Sequence, residues 1–270
     1  MKKLIGLVAV LLTGTMVFAE KSLEEILRTY TDNDRVPDYN YSVLAIDNIA
    51  PNGTVEHLIV NQYGGGGNDL KNVVFDFKSP ASVKNTRVLQ AQKVGRQDER
   101  WIYLPNMKTV RRIPMSERYK AFVGTEFTYN DMTLREYEED NNEMLAESEE
   151  IVVDKINKYD CWKIKSTPIK KSEVEYGYRI SWFHKETYIP VRIEFYDKKD
   201  PDKLIKLYQV EKLEMVKGVT GIEYPLRRQN LVTNLVTNRK TRIKVTDFKF
   251  DDPISNSYFT QNWIQTGKAK

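Results

Sequence analysis

Few residues in this 270-residue chain can do covalent chemistry: His57, His184 and a lone Cys161. A structural zinc site takes four Cys or His ligands, more than the chain holds. An intramolecular disulfide needs a second cysteine. His57 lies between Glu56 and Leu58, and His184 follows Trp182 and Phe183. Both are expected to be structural or surface residues rather than catalytic bases. Cys161 precedes Trp162 at a strand start and is expected to be a buried, apolar thiol. The chain has no Gly-x-Ser-x-Gly elbow and no P-loop. Gly64 to Gly67 follows a strand but has no Lys-Ser/Thr pair after it, so it reads as a hairpin loop. The acidic run at 136–150 lacks calcium-loop spacing and reads as a solvated loop or strand edge. Lys170-Lys171 and Arg227-Arg228 read as surface pairs. No cofactor or metal is implied.

The elements that position these residues are mostly strands. Ser22-Leu-Glu-Glu25 is a capping box, with Leu23, Ile26, Leu27 and Tyr30 on one helical face. From residue 40 the period becomes two. Strands are expected at 41–46, 54–63, 73–77, 86–93, 100–104, 108–113, 144–155, 161–166, 176–183, 191–196, 204–213, 221–230 and 241–250. Asn52-Gly53 and Asp200-Pro201-Asp202 punctuate two hairpins. A one-turn helix start is expected at 79–83, and short helical pieces around Phe122 and Met132. The fold class is mainly β: one antiparallel sheet, strongly curved or closed, with a few short helices.

Residues 1–19 read as a secretory signal peptide, with Met1-Lys2-Lys3, an uncharged stretch from Leu4 to Phe18, and Val17-Phe18-Ala19 before Glu20. The stretch is shorter than the ~20 apolar residues of a spanning helix. One domain, 20–270, is expected to follow. Removing Lys2 and Lys3 leaves 40 basic against 38 acidic residues, a net charge of +2. That near-neutrality argues against nucleic acid as a partner. Export with a single cysteine fits a bacterial periplasm.

Several strands are apolar on both faces: Trp101-Ile102-Tyr103-Leu104, Val73-Val74-Phe75, and Ile180 with Trp182-Phe183. An open sheet with one wet face would alternate instead. Both faces are therefore covered, by protein or by an apolar cavity.

Residues 100–132 are more specific. Arg100-Trp-Ile-Tyr-Leu-Pro-Asn-Met-Lys-Thr-Val-Arg-Arg-Ile-Pro114 precedes Ala121-Phe-Val-Gly-Thr-Glu-Phe-Thr-Tyr-Asn-Asp-Met132. This resembles the LolA-like "outer membrane lipoprotein-sorting protein" family, whose pattern runs W-x-Y-L-P, R-R-I, then F-x-G-[ST]-x-F-x-Y-x-D. The likeness continues at Cys161-Trp162, at Tyr188-Ile-Pro190 with 192–197, and at 247–259. It implies a half-open antiparallel β-barrel with helices plugging its concave side, a fold shared with LolB and RseB. It also implies a non-enzymatic periplasmic carrier of lipid or lipoprotein acyl chains, in transient contact with membranes. An MMPL/RND-type exporter is implied as a partner. The alternative reading is a lipid-sensing or accessory module of an envelope membrane protein; a lipid hydrolase lacks a nucleophile motif.

Each buried methylene is worth ~0.8 kcal/mol, so a sixteen-carbon chain costs on the order of 12 kcal/mol to expose to water. An apolar hollow removes that cost without catalysis. Candidate lining residues are Trp101, Tyr103, Leu104, Met107, Ile113, Met115, Phe122 and Phe127. Arg111 and Arg112 are candidates for a lid or headgroup contact.

Overall fold

The computed structural model describes residues 21–31, 36–65, 72–92, 98–132, 135–153 and 157–268. Helix α1 (Leu23–Thr31) begins where the capping box places it: the Ser22 hydroxyl accepts from the Glu25 amide at 3.2 Å. Glu24 and Glu25 occupy its positive end. Ile26 and Leu27 are buried against Trp162, Ile164 and Phe183.

Thirteen strands follow: β1 (Asn40–Ile49), β2 (Val55–Gly65), β3 (Asn72–Ser79), β4 (Arg87–Ala91), β5 (Glu99–Leu104), β6 (Thr109–Arg112), β7 (Asp140–Val152), β8 (Lys158–Pro168), β9 (Tyr178–His184), β10 (Pro190–Tyr196), β11 (Leu204–Lys217), β12 (Glu223–Asn234) and β13 (Lys240–Phe250). They form one antiparallel sheet in the order β6-β5-β4-β3-β2-β1-β13-β12-β11-β10-β9-β8-β7. Strands β6 and β7 are its two edges, so the sheet is a half-open barrel. Gly53, at φ +85°, closes the β1–β2 hairpin where Asn52-Gly53 predicts a turn.

The registers carry a continuous apolar surface across one face. Val245, Leu44, Val60 and Phe77 stand opposite one another on β13, β1, β2 and β3. Phe75, Val88 and Ile102 continue it on β3, β4 and β5. We call this the inner face, and it carries most of the largest buried cluster. At its other end it receives α1.

The middle of the inner face is covered by residues 113–132, here called the strap. Short helices are expected around Phe122 and Met132, and the structure corrects this. The strap has one 3-10 turn, Met115–Glu117, and then turns joined by a single bridge between Ala121 and Thr128. Gly124 lies at φ +81° and Val123 at +46°, a backbone path that no helix follows. Residues 80–85 likewise form turns rather than a helix.

The reverse face carries helix α2 (Gln261–Thr266), which the sequence reading does not anticipate. The Thr260 hydroxyl caps it by accepting from the Trp263 amide at 3.1 Å, and Gly267 ends it at φ +68°. Trp263 and Ile264 pack on Val74, Leu89 and Ala91. Arg87 joins helix to sheet, donating to the Ile264 carbonyl and to Asp76, both at 3.0 Å.

Candidate functional site

An open groove of about 510 Å³ lies at the β5–β6 end of the inner face. This is within the ~300–1,000 Å³ of small-molecule sites. Its floor is Ile102 and Leu104 of β5. Val83 and Thr86 of the β3–β4 connection form one wall, and Val123 and Tyr129 of the strap form the other. Met107, in the β5–β6 turn, projects from the lip and is 67% exposed. Arg111 stands at the rim and pairs with Glu117 at 3.2 Å.

The strap is fixed at several points. Phe122, 1% exposed, sits among Phe75, Phe77 and Tyr129 with ring centroids 5.0, 5.9 and 5.4 Å away. Phe127 meets Tyr208 edge-on at 6.4 Å. The Glu126 amide donates to the Thr241 hydroxyl at 2.9 Å. Lys206 is buried and reaches Asp131 at 2.9 Å and Glu175 at 2.6 Å. Burial alone would depress the Lys206 ammonium; the two carboxylates outweigh it and hold its pKa above the ordinary lysine value.

The ten sequence-derived residues fall in four places. Leu104, Met107 and Arg111 line the groove. Arg112, Ile113 and Met115 line a second cavity of about 380 Å³, with Pro114 and Arg118. Phe122 and Phe127 anchor the strap within the main core. Trp101 and Tyr103 lie on the reverse face, packed in the cluster beneath α2. The period of two separates them from Ile102 and Leu104, and α2 decides which pair lies on the outside. Sequence reasoning missed Ile102, Val83, Val123 and Tyr129. Ile102 was within reach, since alternation puts it beside Leu104.

Cys161, His184 and His57 line neither cavity. Cys161 is buried and free, and desolvation pushes its thiol up to about 12. It stands opposite His184 in the β8–β9 register, but the His184 ring bonds the Thr187 hydroxyl at 2.9 Å. Burial lowers the His184 pKa. His57 is exposed and pairs with Asp47 at 2.7 Å. Among the described residues, no group of three His, Cys, Asp or Glu side chains could hold a metal ion. Arg227 and Arg228 are not the surface pair expected. Tyr208 and Tyr30 hold the Arg227 guanidinium above its ordinary pKa, against the opposing effect of burial. Arg228 lies over the Phe248 ring at 5.5 Å. Gly66 and Gly67, part of the glycine run, lie outside the described residues.

A family model described as "Uncharacterized protein" matches residues 69–266, most of the chain. The chain belongs to that family. No curated protein matches it. Three solved structures share its fold. A putative outer membrane lipoprotein-sorting protein domain from Vibrio parahaemolyticus is 22% identical with a TM-score of 0.77, over 89% of this chain and 97% of that one. A DUF1329 family protein from Desulfovibrio piger is 24% identical with a TM-score of 0.76, over 88% and 96%. A LolA superfamily protein from Nitrosomonas europaea is 18% identical with a TM-score of 0.62, over 89% and 98%. The chain therefore shares the fold of these structures, the half-open antiparallel sheet that the resemblance at 100–132 implies. Among the described residues, no helix is long and apolar enough to cross a membrane.

Proposed function

We propose that this protein is a non-enzymatic periplasmic carrier that holds acyl chains of lipids or lipoproteins in the groove between β5 and the strap. The observation that carries this reading is the groove itself. It is open to solvent, floored by Ile102 and Leu104, and bordered by a strap that is packed rather than continuous with the sheet. An apolar trough of this kind replaces a membrane interior for an alkyl chain at little change in free energy. Met107 at the lip suits chains of varied length, because its unbranched side chain adapts its shape. The likeness to lipoprotein-sorting and LolA superfamily structures supports the same reading. Export through cleavage after Ala19 belongs to it, and N-terminal sequencing of the envelope form should begin at Glu20. The exporter partner implied by the resemblance forms no part of this proposal.

The test is displacement of a fluorescent fatty-acyl probe. Leu104→Glu places a carboxylate on the groove floor, at a cost of several kcal/mol to a bound alkyl chain. It should weaken probe binding at least tenfold (about 1.4 kcal/mol or more). Lys199→Glu, in the exposed β10–β11 connection, should leave binding unchanged. Equal probe affinity in a folded Leu104→Glu protein would show that the acyl site is not here. Phe122→Glu is a poor probe, because it buries a charge in the main core and would unfold the strap.

A further inference from the structure

The mouth of the groove carries most of the molecule's net positive charge. Three lysines stand next in sequence to lining residues: Lys84 beside Val83, Lys108 beside Met107 and Lys120 beside Ala121. All three are exposed. Arg111 at the rim is the fourth cation. One carboxylate, Glu117, serves two of them, at 3.2 Å from Arg111 and 3.2 Å from Lys120. Among the described residues, Lys84 and Lys108 pair with no carboxylate. Four cations against one anion leave an excess of three, in a chain whose total is +4. Arg112 and Arg118 are left out of this count, because Glu99 and Asp98 face them.

The same rim is apolar at its most exposed point. Met107 projects from the β5–β6 turn at 67% exposure, with Lys108 next to it. Tyr119, next to Lys120, is also an exposed large side chain. A flexible apolar side chain flanked by lysines has the chemistry of an interfacial anchor. Its thioether enters the acyl boundary while the ammonium groups stay with the headgroups. Unpaired cations also draw such a face to an anionic lipid surface within a Debye length. A second exposed apolar site lies in the β11–β12 turn, with Val219 and Ile222. Its charges are balanced, since Lys217 pairs with Glu223 at 3.6 Å and Lys249 with Asp252 at 2.7 Å. Charge therefore singles out the groove mouth.

We infer that the mouth of the groove is a docking surface for an anionic lipid bilayer, with Met107 entering the interface and Lys84 and Lys108 meeting lipid phosphates. Such docking deepens the carrier reading, because it rests on the same groove. It turns the floor formed by Ile102 and Leu104 toward the membrane, so that an alkyl chain passes between bilayer and groove without crossing water.

The experiment is vesicle flotation with the purified protein. The probes are vesicles rich in phosphatidylglycerol and vesicles of phosphatidylcholine alone. Binding to the first and not the second is expected, and added salt should weaken it. The double variant Lys84→Glu, Lys108→Glu should bind the anionic vesicles about tenfold more weakly or worse, because both charges are reversed at the surface. Met107→Ser should also bind them more weakly. Val219→Ser, in the balanced turn, should bind like the parent. Circular dichroism verifies folding. An environment-sensitive fluorophore on Met107→Cys should shift to the blue when anionic vesicles are added, and the same label on Val219→Cys should not. No binding to anionic vesicles, equal binding to both kinds, or undiminished binding in the folded lysine variant overturns the inference. Vesicle binding that leaves the label at residue 107 in water also overturns it. Self-association abolished by Met107→Ser, without vesicle binding, would assign the mouth to a second copy of the chain instead. The acyl-probe assay keeps the two readings apart. The lysine variant should retain probe binding, since neither Lys84 nor Lys108 lines the groove. Vesicle docking without probe binding would sink the carrier proposal and leave the docking surface standing; probe binding without docking would do the reverse.

Discussion

Cys161 and His184 show at the residue scale how burial sets the protonation of two groups whose side-chain chemistry could be reactive. They stand opposite each other across the β8–β9 ladder. Desolvation disfavours both charged forms, raising the thiol to about 12 and lowering the imidazole. Cys161 should therefore resist a thiol reagent in the native protein and react only on unfolding. Cys161→Ala should cost about 1–2 kcal/mol and leave acyl-probe binding intact. A folded Cys161→Ala protein that has lost binding would contradict this assignment. His184 has a consequence with a definite sign. Its folded pKa lies below the unfolded value of ~6.5, so the unfolded chain binds the extra proton first. Stability should fall as pH drops through that window. The melting temperature between pH 7.5 and 5.5 should decline less in His184→Asn than in the parent, and parallel curves would refute the sign.

The strap is an element without regular secondary structure, so side-chain anchors must hold it. Phe122 supplies the apolar anchor and Lys206 the polar one. Phe122→Ala should cost about 3–5 kcal/mol, the usual penalty for an aromatic cavity, read from chemical denaturation. Asp131→Ala removes one of the two carboxylates that compensate buried Lys206. It should speed amide hydrogen exchange across 121–132 while leaving exchange in β1 and β13 unchanged. Uniform acceleration throughout the sheet would mean that the strap is not a separate unit. Helix α2 has the opposite character: caps at both ends and a buried Trp263 fix a six-residue helix too short to persist alone.

An open sheet leaves two edges, and the whole molecule must guard both. Strand β6 is only four residues long. Strand β7 is thirteen, but it carries exposed Glu143, Glu147 and Glu150 and two register shifts. Charges and bulges of this kind prevent edge-to-edge pairing. The triple substitution Glu143→Val, Glu147→Val and Glu150→Val should therefore drive concentration-dependent association, measured by light scattering. A monomeric triple variant would show that the edge needs no such protection.

The strands were legible from the sequence because their cause is local. Runs of β-branched and aromatic residues, many with a period of two, and Gly, Pro, Asn or Asp in most of the gaps mark them. The Ser22 capping box likewise marks α1. Residues 100–132 also pointed to the fold. What alternation cannot say is which face of a strand becomes the inside. Trp101 and Tyr103 are as apolar as Ile102 and Leu104, and only α2, from the far end of the chain, assigns the first pair to the reverse face. Short helical pieces are expected around Phe122 and Met132; long-range contacts to Phe75, Tyr208 and Lys206 set the strap's backbone instead. The same is true of Arg227, whose tyrosine partners lie on α1 and β11. Local periodicity fixes elements, whereas covering segments brought in from distant sequence decide faces, grooves and partners, because burial is a property of the assembled fold.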